Sequence, residues 1–130
     1  MSPNRSSTPK TVLVVEDSIT QAQNIRAVLE DSGLKVICAF DGPSGLKMAR
    51  KTRPDLVVMD VNMPGMDGFQ VLGALKNDPA TSEMPIVMLT SSSTPESVLT
   101  GLTAGAVDYI PKDVFAMRVL VETIRQMGLI

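Results

Sequence analysis

The 130-residue sequence contains no histidine, and this absence removes several kinds of chemistry. Without an imidazole the chain can form neither a Ser-His-Asp triad nor a Cys-His nucleophile pair. It cannot hold zinc through histidine or carry a phosphoryl group as phosphohistidine. The single cysteine, Cys38, excludes an internal disulfide and a cluster of thiolate ligands. Any reaction must therefore use carboxylates, lysine, hydroxyl groups and the backbone, with or without a hard metal ion.

A strong charge of one sign and long apolar runs are also missing. The 12 basic and 14 acidic side chains leave a net charge of −2, which is too balanced for binding nucleic acid through bulk charge. No stretch approaches the ~20 apolar residues of a membrane span, and residues 1–10 lack the apolar core of a signal peptide. We therefore predict a cytoplasmic protein with no membrane insertion and no direct contact with nucleic acid.

The length of the chain fits a single domain that buries enough surface to fold without crosslinks. Residues 1–9 are rich in Ser, Pro and Thr, which predicts a disordered N-terminal tail. We expect one folded domain over residues 10–130. Because the sequence ends after the last predicted helix, we expect no attached output domain.

Five short apolar runs alternate with longer amphipathic stretches from Thr11 onward. Consecutive apolar, often β-branched residues are typical of strands buried on both faces, as in a parallel sheet covered by helices. The runs are residues 12–15, 36–40, 56–59, 86–89 and 107–110. Asp108 interrupts the last run, which suits an edge strand.

The stretches between the runs carry helix signals. Ser18 and Gln21 have the spacing of a capping box, and Pro43 and Pro95 suit first helical turns. The fifth helix is expected from about residue 114 to residue 127. Five strand–helix units predict a doubly wound α/β fold, and the flavodoxin-like order 2-1-3-4-5 is the common solution for five parallel strands.

Polar residues follow the strands at the edge where such folds bind ligands. They are Glu16 and Asp17 after the first strand, Asp60 after the third, Thr90 and Ser91 after the fourth, and Lys112 after the fifth. Carboxylates placed together repel one another unless a cation neutralises them. Mg²⁺ is the expected ion because it takes carboxylate and phosphate oxygens. An aspartate between such an ion and a lysine can attack phosphorus and become an aspartyl phosphate.

Four segments resemble the receiver domain of two-component response regulators. They are VLVVEDS from Val12, LVVMDVNMPGMDG from Leu56, MLTS from Met88 and GAVDYIPK from Gly105. The segments occur in order, each at a predicted strand end, and the resemblance covers about residues 10–128. It implies that a sensor histidine kinase, or a phosphotransfer protein, donates a phosphoryl group to an aspartate in a Mg²⁺-dependent reaction.

The resemblance implies the acceptor and the metal site. Asp60 matches the aspartate that becomes phosphorylated, and it also matches a metal ligand. Asp17 matches a direct metal ligand, and Glu16 matches its acidic neighbour. The main-chain carbonyl of Asn62 matches the third protein ligand of the ion.

The resemblance also implies phosphate-binding and switch residues. Lys112 matches the lysine that pairs with the phosphoryl oxygens. Thr90 matches a hydroxyl that moves toward the phosphoryl group, and the Ser91 amide matches a second donor. Thr90 and Tyr109 match the switch residues that change the surface of the fourth helix, fifth strand and fifth helix, where a downstream target protein docks.

One position departs from the family pattern. The family usually has proline directly after the lysine, whereas Asp113 follows Lys112 here and Pro111 precedes it. A cis bond without proline costs about 3–4 kcal/mol, so the Lys112–Asp113 bond is either strained and cis or else trans. We expect Asp113 to cap the fifth helix.

We favour a single-domain response regulator that catalyses only its own phosphorylation and dephosphorylation, and that is a monomer or a weak dimer. A receiver-like adaptor that docks without phosphorylation is the alternative. A metal-dependent phosphohydrolase fits less well, because such enzymes commonly have a second carboxylate where this chain has Asn62. Tyr109 can also be a plain core residue. Phe115 and Val119 form either a partner or dimer surface, or they are partly buried against the fourth helix.

Overall fold

The computed structural model describes residues 8–91 and 94–130. Five parallel strands form one sheet in the order β2-β1-β3-β4-β5. They are β1 (Thr11–Val15), β2 (Lys35–Ala39), β3 (Leu56–Asp60), β4 (Ile86–Thr90) and β5 (Asp108–Pro111). The predicted fold class and strand order are confirmed, and β5 lies at one edge of the sheet.

Five helices alternate with the strands. They are α1 (Ile19–Asp31), α2 (Gly42–Thr52), α3 (Gly68–Lys76), α4 (Pro95–Thr103) and α5 (Ala116–Gln126). A complete capping box begins α3, in which the Asp67 carboxylate accepts from the Gln70 amide and the Gln70 side chain accepts from the Asp67 amide. These bonds satisfy donors that would otherwise be free at the helix start.

The start of α5 differs from the prediction. The helix begins at Ala116 rather than Val114, and its N-cap is Phe115, which has no side-chain capping bond. The Asp113 carboxylate instead accepts from the Phe115 amide at 2.8 Å. Asp113 therefore closes a turn before the helix rather than capping it, because its side chain satisfies the amide two residues later.

The sheet is buried on both faces, as the consecutive apolar runs predicted. In β1, Leu13 and Val15 belong to one core layer, and Val12 and Val14 belong to the other. Helices α2 and α3 cover the first layer, and α1 and α5 cover the second. Alternate side chains of one strand point to opposite faces, so such a strand must be apolar throughout.

The predicted tail over residues 1–9 falls mainly on residues 1–7, which lie outside the described residues, and it stays a prediction. Among the helices that the structure describes, none combines the length and the hydropathy needed to cross a membrane.

Candidate functional site

The sheet brings the polar strand ends together at one edge. Strand pairing aligns Val15 with Met59, and Asp60 with Leu89. Thr90 lies beside Pro111, the residue before Lys112. Because all five strands are parallel, the residues that end or follow β1, β3, β4 and β5 meet at the carboxyl edge.

Three carboxylates form an acidic cluster at this edge. Glu16, Asp17 and Asp60 each offer an oxygen atom, and these atoms lie within 4.8 Å of one another. Glu16 and Asp60 are only 1% and 4% exposed, whereas Asp17 is exposed. Like charges held this closely favour a cation between them. The all-oxygen donor set, open on the Asp17 side, fits a hard divalent ion such as Mg²⁺.

The Asp60 carboxylate is oriented by the chain that follows it. Its Oδ1 atom accepts a hydrogen bond of 3.1 Å from the backbone amide of Asn62. Further along, the Gly68 amide donates to the Val61 carbonyl at 3.0 Å and draws the start of α3 against the end of β3. The loop between β3 and α3 thus folds back onto the residue that carries the carboxylate.

The Lys112 ammonium lies among these acids. Its Nζ atom is 2.7 Å from Glu16 Oε1 and 3.3 Å from Asp60 Oδ1. The Lys112 amide donates to the Thr90 carbonyl at 2.6 Å. The Lys112–Asp113 bond is trans, which resolves the alternative that the sequence left open. The ammonium reaches the buried carboxylates without a cis bond.

Gln21 joins the site although its sequence position suggested only a capping role. Ser18 does cap α1 by accepting from the Gln21 amide. The Gln21 side chain does not complete the box, and its Oε1 atom accepts from Lys112 Nζ at 2.7 Å. Side chains on a helix lean toward its N-terminus, so a polar residue one turn after Asp17 is the signal that could have identified it.

The Asn62 side chain contacts the hydroxyl groups at the end of β4. Its Oδ1 atom accepts from Thr90 Oγ1 and Ser91 Oγ, each at 3.2 Å. The resemblance pointed only to the main chain of Asn62 and Ser91, so this side-chain link was not predicted. It connects the loop after Asp60 to the fourth strand.

Tyr109 of β5 is also buried. It is only 7% exposed, and its ring lies nearly parallel to that of Phe69 with centroids 6.4 Å apart. A Cβ atom added to Gly101 of α4 would lie 2.8 Å from Tyr109 Cδ2. The missing side chain at Gly101 therefore leaves room for the tyrosine ring between α3 and α4.

This contact predicts the effect of Gly101→Ala. The new methyl group should push the tyrosine ring outward, since a side-chain ring can move more easily than the helix backbone. Tyr109 is the only tyrosine and there is no tryptophan, so it dominates the intrinsic emission. Quenching by acrylamide should increase in Gly101→Ala. Gly73→Ala, where a Cβ meets nothing within 4 Å, is the control. Equal quenching in all three proteins would contradict this packing.

Burial raises the pKa of the Glu16 carboxyl, and the nearby Asp60 charge adds to the rise. Hydrogen bonds from Lys112 and the Ser18 amide offset part of it. The folded state therefore holds the Glu16 proton more tightly than the unfolded chain does. Ionising Glu16 accordingly costs folding stability.

The raised pKa predicts a pH-dependent effect of Glu16→Gln. In EDTA, the cost of ionising Glu16 is absent below the ordinary glutamate range and grows as pH rises through the raised pKa. The unfolding free energy of the variant minus that of the wild type should therefore increase across this window, measured by urea titration. The bonds from Lys112 and the Ser18 amide are already part of the net pKa shift, so their loss does not change the sign of this trend. With Mg²⁺ this difference should instead decrease as pH rises, because the ion stabilises the ionised carboxyl that only the wild type has. A difference independent of pH in EDTA would contradict the prediction.

Comparison with known families agrees with this geometry. The profile described as "Response regulator receiver domain" matches residues 12–125, which is most of the chain. This protein belongs to the response regulator receiver domain family. The predicted resemblance is therefore confirmed, and the chain is placed among the proteins of two-component signalling.

Individual response regulators are similar to this receiver domain in sequence and in structure. Protein PilH of Pseudomonas aeruginosa is 38% identical over 103 residues, which are 79% of this chain and 85% of PilH. The response regulator PleD of Caulobacter vibrioides is 39% identical over 103 residues, which cover 79% of this chain but only 23% of PleD. The solved structure of the Vibrio cholerae chemotaxis protein CheY4 has a TM-score of 0.84 at 35% identity, covering 92% of this chain and 98% of that one.

The receiver domain exposes apolar side chains along α4, β5 and α5. Leu99 is 66% exposed, and Phe115 and Val119 are 58% and 42% exposed. Phe115 and Val119 are each partly covered, so a partner surface and partial burial against α4 both stay predictions. Leu102 and Val107 are also exposed, at 44% and 51%.

Proposed function

We propose that this receiver domain accepts a phosphoryl group on Asp60 in a Mg²⁺-dependent reaction and then changes its α4-β5-α5 surface to control a partner protein. One observation carries the proposal. The Asp60 carboxylate is buried, clustered with Glu16 and Asp17, and 3.3 Å from the Lys112 ammonium. A carboxylate with both a cation site and a fixed ammonium beside it is arranged for phosphoryl transfer.

Asp60 is the nucleophile of the proposed reaction. Its carboxylate oxygen forms a bond to phosphorus while the bond from phosphorus to the donor's imidazole nitrogen breaks. The imidazole belongs to a sensor histidine kinase or a phosphotransfer protein, since this chain has no histidine. Lys112 pairs with the phosphoryl oxygens and stabilises the charge on them during transfer.

The acidic cluster fits a resident Mg²⁺ ion. The carboxylates of Asp17, Asp60 and Glu16 and the main-chain carbonyl of Asn62 would hold it. When bound, the ion neutralises negative charge on the carboxylates and on the transferred group. Glu16 shares its carboxylate with Lys112, so it links the metal side of the site to the phosphate side.

Thr90, Ser91 and Tyr109 carry the switch. The Thr90 hydroxyl and the Ser91 amide bind the phosphoryl group. For Thr90 Oγ1 to reach it, the bond to Asn62 Oδ1 must break. That movement changes the packing between β4 and the neighbouring β5, which carries Tyr109, and thereby alters the surface on which a downstream target protein docks.

We also propose a location, an oligomeric state and a class of partner for this protein. The protein works in the cytoplasm as a monomer or weak dimer, contacts proteins rather than nucleic acid, and does not insert into a membrane. It acts on no separate substrate and catalyses only its own phosphorylation and dephosphorylation. Residues 10–130 form the receiver domain.

Phosphorylation of the wild-type protein tests this function. Acetyl phosphate with Mg²⁺ should add the mass of one HPO₃ group, and peptide mapping should place it on Asp60. Acetyl phosphate with EDTA should add nothing. Absence of an adduct with Mg²⁺ would instead support the adaptor, which keeps the docking surface without the chemistry. Sustained release of phosphate from a phosphomonoester would support the phosphohydrolase.

A further inference from the structure

Gln21 gives the site an acceptor that the receiver motifs do not include. It lies in the first turn of α1, and its Oε1 atom is 2.7 Å from Lys112 Nζ. We propose that Gln21 is a positioning residue that holds the Lys112 ammonium toward Asp60. This inference rests on the proposed transfer of a phosphoryl group to Asp60, and it assigns part of the lysine's placement to a residue outside the motifs.

The contacts of Lys112 account for its three N–H donors. A lysine ammonium is a point charge on a flexible four-carbon stem, so its position must be fixed by its partners. Glu16 Oε1 and Gln21 Oε1 each lie 2.7 Å from Nζ. Asp60 Oδ1 lies further away, at 3.3 Å. Two short bonds, one to the residue after β1 and one to α1, therefore anchor the ammonium and leave a third donor for Asp60 or for a phosphoryl oxygen on it.

A neutral acceptor suits this position. Glu16, Asp17 and Asp60 already place three carboxylates within 4.8 Å of one another. A fourth carboxylate would repel an anionic phosphodonor, whereas an amide oxygen adds no charge. A phosphoryl oxygen is a stronger acceptor for an ammonium than an amide is. It can take the third donor of Lys112, which now lies 3.3 Å from Asp60 Oδ1, while the bond to Gln21 is kept.

The backbone around Lys112 does not by itself fix the position of the ammonium. The Lys112 amide donates to the Thr90 carbonyl at 2.6 Å, which fixes the main chain but not the side chain. The side chain itself is 21% exposed, so water competes for the ammonium. Asp113, rather than the usual proline, follows it. Gln21 is exposed, and its substitution should therefore disturb the lysine without disturbing the core.

Phosphorylation kinetics provide the first test. Gln21→Leu removes the acceptor at similar size, and Gln23→Leu is the matched control on an exposed site of the same helix. With saturating Mg²⁺, the rate constant at saturating acetyl phosphate should fall about three- to ten-fold in Gln21→Leu, the effect of losing one modest hydrogen bond in the transition state. Mg²⁺ affinity, the melting temperature and the Gln23→Leu rate should stay at wild-type values. An unchanged or faster rate in Gln21→Leu would overturn the proposal.

The Lys112 side chain provides a second test that does not depend on phosphorylation. In NMR spectra, the ammonium protons of Lys112 should exchange slowly with water in the wild type and in Gln23→Leu. They should exchange much faster in Gln21→Leu. Equal exchange in all three proteins would overturn the proposal even if the rates differ. If the wild type accepts no phosphoryl group, the proposed function fails, while the exchange measurement still decides whether Gln21 positions Lys112.

Discussion

Replacing Asp60 by asparagine should abolish the phosphoryl adduct formed with acetyl phosphate and Mg²⁺. An amide lacks the charged oxygen that attacks phosphorus, and no other carboxylate in the cluster takes the same place beside Lys112 and the Asn62 amide. We expect no HPO₃ adduct in intact-mass spectra after the time at which the wild type is fully modified. Mg²⁺ affinity should also fall, since one of the clustered carboxylates is lost.

The fold should survive Asp60→Asn, which makes the result interpretable. The asparagine Oδ1 atom can still accept from the Asn62 amide, and removing one buried negative charge relieves repulsion with Glu16. Without metal, the melting temperature should therefore equal or exceed that of the wild type. Asp55→Asn is the matched control. Asp55 lies at the opposite end of β3, where its carboxylate accepts from the Thr11 amide. Full labelling of Asp60→Asn would show that the acceptor lies elsewhere.

The fold followed from the sequence because its main signal is local. Runs such as Val12–Val15 are apolar at every position, and burial of both faces of a central parallel strand requires that pattern. Strand order then followed from the few topologies open to five strand–helix units. Burial of Glu16 and Asp60 did not contradict the pattern, because both lie where the strands end and the site begins.

The sequence could predict which residues meet at the site, but not which of their side chains contact one another. Parallel strands place their carboxyl ends at one edge, so Asp60, Thr90 and Lys112 had to meet there. Whether Gln21 turns to its own helix start or to Lys112 depends on a competition between two hydrogen bonds of different strength. The ammonium offers the stronger, charge-assisted one, but it comes from 91 residues away in the chain. Sequence spacing cannot reveal such a partner.

The same limit explains Asp113 and Asn62. Asp113 has the residue type of a helix cap, but α5 begins at Ala116, and the Asp113 carboxylate accepts from the Phe115 amide before the helix. The Asn62 side chain meets Thr90, 28 residues away, because β3 and β4 are neighbours. In both cases the residue type predicted a polar contact, and the tertiary arrangement chose the partner.

Replacing Gly68 by alanine should destabilise the protein more than the same change at Gly73 or Gly101. A Cβ atom at Gly68 would overlap the main-chain oxygen of Asp60 and lie 2.8 Å from Val61 Cα. These are backbone atoms at the end of β3, so no side chain can rotate away to make room. We expect the unfolding free energy to fall by about 3 kcal/mol, at the upper end of overpacking effects, and the melting temperature to fall by roughly 10 °C.

The Cβ atom of Gly68→Ala would also contact Asp60, the proposed acceptor, whereas a Cβ atom at Gly73 of the same helix would not. Relief of the clash must shift the main chain of Asp60 or the start of α3, so the fraction that stays folded should be phosphorylated more slowly. Gly73→Ala is the matched control on α3, since its Cβ meets nothing within 4 Å. There the better helix propensity of alanine should raise stability by about 0.5–1 kcal/mol and leave the phosphorylation rate unchanged. Equal unfolding free energies of Gly68→Ala and Gly73→Ala in urea titration would contradict the prediction. That result would show that the contact between the start of α3 and the end of β3 can open to admit a methyl group.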